Sequence, residues 1–187
     1  VLETLPNFID MAVVIDDGST DETAQRANSV KTSFEKIILQ TNEIGVGGAI
    51  DRGHQYILKN IEQPFISVVM AGDGQMDPEN MESLLQPILA KDADFVKGNR
   101  MMNKTDIEQM PKTRRRASKI LGWLTTLASG KKVTDPQCGY TASSSNLLNQ
   151  WNWNNSWKDY GYPNYWLIHL SSEGWNVKEV PVRAVYG

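Results

Sequence analysis

VVIDDGSTDET, residues 13 to 23, ends an apolar β-branched run in two adjacent carboxylates, turns at a glycine and opens a polar segment. A strand that stops this way delivers Asp16 and Asp17 to the carboxyl end of a parallel sheet, where α/β folds bind their ligands. Two like charges there are costly unless loop amides or a ligand satisfy them. VVMAGDGQMDPE, residues 68 to 79, repeats the pattern: the strand ends at Ala71-Gly72 and Asp73, Gln75 and Asp77 follow. Oxygen ligands at alternate positions suit a hard divalent cation, Mg²⁺ or Mn²⁺, that keeps waters and bridges to phosphate oxygens. Asp77, just before Pro78, reads as a helix N-cap, and Asp73 shares the expected sheet edge with Asp16 and Asp17.

Outward from these two strand ends, β-branched runs alternate with helical patterns, the signature of a mainly parallel sheet covered by helices on both faces. Strands are expected at Met11 to Ile15, Lys36 to Leu39, Phe65 to Met70 and Asp94 to Lys97. Ser19 and Glu22 have capping-box spacing for a first helix. A second helix runs from about Val46 to Lys59 with Ile50 and Ile57 inward. Met81, Leu84, Leu85 and Ile88 form the stripe of a third. From Thr113 to Ala128, Ala117, Ile120, Leu121, Leu124 and Ala128 make one apolar face, with Arg114, Arg115, Arg116 and Lys119 leading into it. WNWNNSWKDYGYPNYW, residues 151 to 166, suits an irregular lid or rim. With no linker, repeat or low-complexity tract, residues 1–187 read as one domain, as the 187-residue length also implies.

Charge and composition exclude several classes. Nineteen Lys and Arg face 22 Asp and Glu, and the pI is near 5.4, so the global basic field of a non-specific nucleic-acid binder is absent. One cysteine, Cys138, excludes a disulfide framework and a cysteine-cluster zinc site, and His54 and His169 are too few for a histidine metal centre. No apolar run reaches the roughly 18 to 20 residues of a bilayer span. No signal peptide is visible in VLETLPNFID, which implies a cytoplasmic setting.

Three further features carry chemistry. Gly45-Val46-Gly47-Gly48 matches neither a Walker loop nor a dinucleotide fingerprint and reads as a tight turn into a helix. Arg114 and Ser118 stand four apart on a helix, so a guanidinium and a hydroxyl can meet one anion, with Arg100 at the end of DFVKGN completing the group. Asp135 precedes Pro136 and is therefore extended; Cys138 beside it has no histidine nearby in sequence and reads as a small buried residue.

Together, VIDDGSTDET, NEIGVGGAIDRG, VVMAGDGQMDPE, FVKGNR, MPKTRRRAS, VTDPQCGY and VKEVPVRAVYG resemble, in order and spacing, the family 2 inverting glycosyltransferases. The nearest branch is that of the polyprenyl-phosphate (dolichyl-phosphate) sugar synthases. The resemblance implies a GT-A fold, a UDP- or GDP-linked sugar donor, and Mg²⁺ or Mn²⁺ on its diphosphate. It places Ile15, Asp16 and Asp17 at base and ribose, Ala71, Gly72 and Asp73 at the donor, and Asp73 and Gln75 on the metal. Arg100, Arg114 and Ser118 fall at an acceptor lipid phosphate, and Asp135 at the catalytic acidic position. Lys112, Arg115, Arg116 and Lys119 then face a membrane, each worth about 1 kcal/mol near an anionic leaflet.

The chain departs from the pattern in places. Ala71 stands where the family has the first carboxylate of Asp-x-Asp, which implies weaker metal binding. Ala184 stands where a basic residue precedes Val-Tyr-Gly, leaving the diphosphate role to Arg183. The family's first strand is expected ahead of Val1, and membrane anchors are expected outside residues 1–187. The leading expectation is a metal-dependent transferase acting on a polyprenyl phosphate. Two alternatives remain: a family 2 enzyme acting on a hydroxyl of a polysaccharide, glycolipid or protein, and a non-catalytic nucleotide-sugar-binding module. With a phosphate acceptor, ionised at neutral pH, Asp135 orients rather than deprotonates.

Overall fold

The computed structural model describes residues 1–102, 112–130, 132–183 and 185, leaving aside the side chains of 112–115 and 155. Strands β1 (Met11–Asp17) and β2 (Glu35–Thr41) form a parallel pair, in register from Met11 with Glu35 to Asp17 with Thr41. A separate four-stranded sheet has the order β3 (Ile66–Val69), β5 (Thr141–Ser144), β4 (Phe95–Asn99), β6 (Val177–Pro181). In it β4 and β6 are parallel, and β5 runs antiparallel between β3 and β4. The expected single sheet thus comes as two, because β1 pairs only with β2 and β3 only with β5 among the described residues. Helices α1 (Thr23–Ser29), α2 (Val46–Asn60), α3 (Met81–Leu89), α4 (Lys112–Ser129), α5 (Ser145–Gln150) and α6 (Tyr162–Ser172) complete the architecture. No helix of the described residues is long and apolar enough to cross a membrane.

Strand β4 is buried along its whole length, and its alternating side chains serve two cores. Val96 joins Met81, Leu84 and Ile88 of α3 with Tyr140 and Ala142. Phe95 joins Leu147, Leu148, Trp151, Tyr162, Trp166 and Leu170. Ile50 and Ile57 of α2 pack on this second cluster, so α2, which also lies on β1, ties the two sheets together. His54 of α2 sits between Trp153 and Trp166, and burial pushes its imidazole down to about 4, so it packs as a neutral ring.

Four sequence expectations change. Strand β5, TASS, has no apolar alternation to announce it; its small side chains fit because both neighbours lie close. The Ser19–Glu22 capping box does not form: the Ser19 amide turns back to Asp16 Oδ1 at 3.2 Å, and α1 starts later, at Thr23. The tryptophan-rich stretch divides: Trp151, Tyr162 and Trp166 are core, with Trp151 and Trp166 4.4 Å apart between centroids, while 157–161 is exposed as a rim would be. Finally, α4 turns the opposite way from its apolar pattern: Ser118, Gly122 and Thr125 are buried, while Ile120, Leu124 and Leu127 face outward. Gly122 explains this, since a Cβ there would lie 2.9 Å from the Val133 carbonyl, so only that face allows the helix so close to the 133–134 segment.

The glycines before α2 answer to a similar close approach. The Gly47 and Gly48 amides donate to the Lys158 carbonyl at 2.8 and 3.2 Å, and Lys158 Nζ reaches Asp51 at 2.8 Å. The helix start is therefore filled by the chain itself, as the tight-turn expectation has it, and does not cradle a phosphate. An added Cβ at Gly47 would stand 2.1 Å from the Trp157 carbonyl, whereas at Gly53 it would make ordinary 3.5 Å contact with Ile15. Urea denaturation should therefore find Gly47→Ala destabilised by about 3 kcal/mol and Gly53→Ala stabilised by about 0.5–1 kcal/mol from helix propensity. Equal effects of the two substitutions would contradict this packing.

Candidate functional site

The β1 end holds Asp16 and Asp17 in different roles. Asp17 accepts the Thr41 hydroxyl at 2.6 Å and the Ile44 and Gly45 amides at 2.8 and 2.9 Å. Its slight desolvation raises the carboxyl pKa, but these hydrogen bonds outweigh it and hold the group below its usual range. Asp17 therefore fixes the loop between β2 and α2. Asp16 is buried, with Ser19 N–H on Oδ1 and Gln40 Nε2 at 3.4 Å from Oδ2. Ile15 lies on the face of β1 that α2 covers, close to Gly53.

At the end of β3 the chain leaves the sheet into open space. Asp73 and Gln75 are exposed, and a Cβ added at Gly72 or Gly74 would touch nothing within 4 Å. Asp73 Oδ1 accepts the Gln75 amide at 3.0 Å, an Asx turn that aims the carboxylate outward. Asp77 is the N-cap expected of it, accepting the Glu79 amide at 3.0 Å. The Val185 amide donates to the Gln75 carbonyl at 3.0 Å, which lays Val185 alongside this loop; Arg183 itself is exposed. Met76 reaches back to the loop before β5, with its methyl 3.5 Å from where a Gly139 Cβ would be. Among the described residues no three His, Cys, Asp or Glu side chains cluster as a metal cage. One outward carboxylate in a small-residue loop fits a cation shared with a diphosphate and waters, the habit of Mg²⁺.

The third group lies at the end of β4. Asp135 is fully buried, and Arg100 grips it: Nε and Nη2 donate to the two carboxylate oxygens at 2.8 Å each, and the Arg100 amide adds a bond at 3.0 Å. Burial raises the Asp135 pKa, but the hydrogen bonds and charge of Arg100, with the charge of Lys97, outweigh it and keep the carboxyl below its usual range. A carboxylate so held is a poor proton acceptor and a strong orienter of the guanidinium.

Beneath this pair lies a buried layer that the sequence patterns did not single out. Lys97 Nζ donates to the Asp135 carbonyl and pairs with Glu179 at 2.8 Å, its register partner on β6. Asn99 Nδ2 bonds Thr134 Oγ1 at 2.6 Å and Glu179 Oε2 at 2.9 Å. The signal was present: polar residues at 97 and 99 in a strand that starts Phe95-Val96 alternate onto one face. Cys138 is buried, and burial first, then the nearby Asp135 charge, pushes its thiol up, so it packs as a small apolar group.

Ser118 is buried on the α4 face that meets the 133–134 segment, next to this layer. Arg114 belongs to the same helix, but its side chain lies outside the described residues, as do those of Lys112 and Arg115. The structure thus pairs Arg100 with Asp135 and seats the Gly122 face of α4, which also carries buried Ser118, on the neighbouring 133–134 segment, and it brings Val185 to the Asp73–Gln75 loop. The Met76–Gly139 approach joins the two groups.

Residues 5–151 match the family model of glycosyl transferase family 2, and the chain belongs to that family. An uncharacterized protein of Methanocaldococcus jannaschii is 31% identical over 174 residues, 93% of this chain and 70% of its own length. A UDP-N-acetylglucosamine–dolichyl-phosphate N-acetylglucosaminyltransferase of Methanococcus voltae is 29% identical across 100% of the chain and 79% of its own. Among solved structures, glucosyl-3-phosphoglycerate synthase of Mycobacterium tuberculosis with Mn²⁺, UDP and phosphoglyceric acid superposes with a TM-score of 0.65 at 21% identity over 96% of this chain. The same enzyme with Mg²⁺ and UDP gives 0.59 at 20% identity over 94%. The chain spans about three-fifths of the length of those structures, at 61% and 60%. The fold is that of the GT-A glycosyltransferases.

Removing the Asp135 charge leaves Arg100 without its buried partner, so Asp135→Asn should lose about 3–5 kcal/mol at neutral pH. Because the folded-state pKa is lowered, this contribution is complete above the unfolded value near 3.8 and lost as pH falls through the folded one. Denaturation curves should show the wild-type advantage over Asp135→Asn shrinking on acidification below about pH 4. An advantage that grows on acidification would contradict the ion-pair assignment.

Proposed function

We propose that this family 2 glycosyltransferase moves a sugar, with inversion, from a UDP- or GDP-linked donor to a polyprenyl (dolichyl-type) phosphate at a membrane surface. The acceptor half rests on the likeness, along the whole chain, to the dolichyl-phosphate N-acetylglucosaminyltransferase of Methanococcus voltae. Its geometric support is the Arg100–Asp135 pair, with the Gly122 face of α4 seated on the adjoining 133–134 segment. There Asp135 sets the plane of a guanidinium that, with Ser118 and Arg114, receives an anion. Asp16, Ile15 and Asp17 line the base and ribose side, and Ala71, Gly72, Asp73 and Arg183 the diphosphate side.

Asp73 and Gln75 would hold Mg²⁺ or Mn²⁺. Bound there, the ion neutralises charge that grows on the departing nucleoside diphosphate. The chain's own residues do the rest by placement: the phosphate oxygen is held in line with the anomeric carbon, and positioning supplies much of the rate. A phosphate monoester with a second pKa near 6 is already ionised at neutral pH and needs no general base. That agrees with an Asp135 whose two oxygens are both taken by Arg100. Asp135 is then a positioning residue, while Asp73 touches the reacting centre through the donor.

Nucleoside diphosphate release from UDP- and GDP-sugars tests the proposal, with Mn²⁺ or EDTA and with or without a short polyprenyl phosphate. Release that needs both metal and lipid phosphate is expected; release driven equally by a saccharide hydroxyl would overturn the acceptor. Asp73→Ala should lower turnover by about 10²–10³-fold with an unchanged melting temperature, because the residue is exposed. Full activity in this variant would remove Asp73 from the chemistry.

A further inference from the structure

Side chains of other elements, rather than a sheet ladder, set the place of Asp135. From 132 to 140 the chain forms no strand. The Val133 amide donates to Thr126 Oγ1 of α4 at 3.0 Å, Asn99 Nδ2 of β4 donates to Thr134 Oγ1 at 2.6 Å, and Lys97 Nζ of β4 donates to the Asp135 carbonyl. Both β4 residues meet one carboxylate. Glu179 of β6 has Oε1 2.8 Å from Lys97 Nζ, and its Oε2 accepts Asn99 Nδ2 at 2.9 Å.

The fold itself has no need of charge at 97 and 179. Lys97 is fully buried in a strand that is buried along its whole length, and Glu179 is its register partner. An apolar pair would serve this β4–β6 contact at least as well, because the attraction in a buried ion pair barely offsets its desolvation. What an apolar pair cannot do is donate a hydrogen bond to the Asp135 carbonyl.

We infer that Lys97 and Glu179 are positioning residues for glycosyl transfer: they set the Asp135 main chain, and through it the Arg100 guanidinium that meets the acceptor phosphate. The inference deepens the lipid-phosphate reading and rests on it for the identity of that anion. Lys97, being fully buried, acts on the substrate only through Asp135. The link is short. Asp135 holds Arg100 through both carboxylate oxygens at 2.8 Å, so a shift of Asp135 carries the guanidinium with it. A misplacement of about 1 Å costs on the order of a hundredfold in rate.

Removing one charge alone would strand the other, so the test is Lys97→Met/Glu179→Met, which removes both and nearly keeps side-chain length. This variant is expected to melt within about 5 °C of wild type. In nucleoside diphosphate release its KM for a short polyprenyl phosphate should rise about tenfold or more, with the KM for the nucleotide sugar unchanged. Thr134→Val, which cuts only the Asn99 link, should raise the acceptor KM by a smaller factor. A folded double variant with wild-type acceptor KM and kcat would overturn the inference, and so would equal rises in both KM values, the mark of general loosening. A double variant that does not fold would overturn it as well, since the fold itself would then need the pair. Wild-type release with a saccharide hydroxyl but not with the lipid phosphate removes the acceptor reading instead. The same split between the two KM values, measured on that acceptor, then decides the positioning role by itself.

Discussion

A guanidinium just past the end of β4 and the buried carboxylate it grips fix the segment that precedes β5 and seats α4. A buried charge is tolerated only when paired and hydrogen-bonded, and Arg100 and Asp135 meet that condition with three bonds. The requirement spreads outward. Asp135 can stay where it is only if its own backbone is anchored, which Lys97 does, and Lys97 in turn needs Glu179 across the β4–β6 register. Asn99 then fastens Thr134 to the same glutamate. The segment before β5, the last strand and the seat of α4 are all positioned by this one layer. Replacing any single member leaves another charge or amide buried without its partner, the costliest kind of polar substitution.

The same layer explains a division of labour between two strand ends. At β3 the chain needs room and one exposed anionic group, so it uses glycine, alanine and a solvent-facing Asp73. At β4 it needs rigidity and a fixed cation, so it uses buried charge. Asp17, though only half-buried, is also held rigidly, although in sequence it looks like a free anionic group. Three hydrogen bonds at the β2–α2 connection make it a loop anchor, while Asp16, the more buried of the two, is held by the Ser19 amide and Gln40.

Much of this was legible in the residues themselves. The four strands with β-branched runs, the helix after Asp77 and the carboxylates at strand ends all follow from local pattern. What stayed hidden depended on tertiary contact. Strand β5 is TASS, whose small polar residues give no period, and it exists because β3 and β4 flank it. In α4 the apolar stripe pointed to a buried face, yet the close approach of Gly122 to Val133 turned the helix round and left the stripe outside. The tryptophans of 151–166 read as a rim because they are interleaved with asparagines, whereas Trp151 and Trp166 are the centre of a core. The Lys97–Glu179 pair joins residues 82 positions apart, and only strand register brings them together.

Identifying the product tests the central claim most directly. With a donor labelled in its sugar, Mn²⁺ and a polyprenyl phosphate, the reaction is extracted into organic solvent and the extract is treated with mild acid. A sugar joined through phosphate to a lipid gives label that enters the organic phase and is freed by that treatment, and this is the predicted result. Label that remains in water as free sugar, or that enters the organic phase in an acid-stable linkage to a hydroxyl, would contradict it.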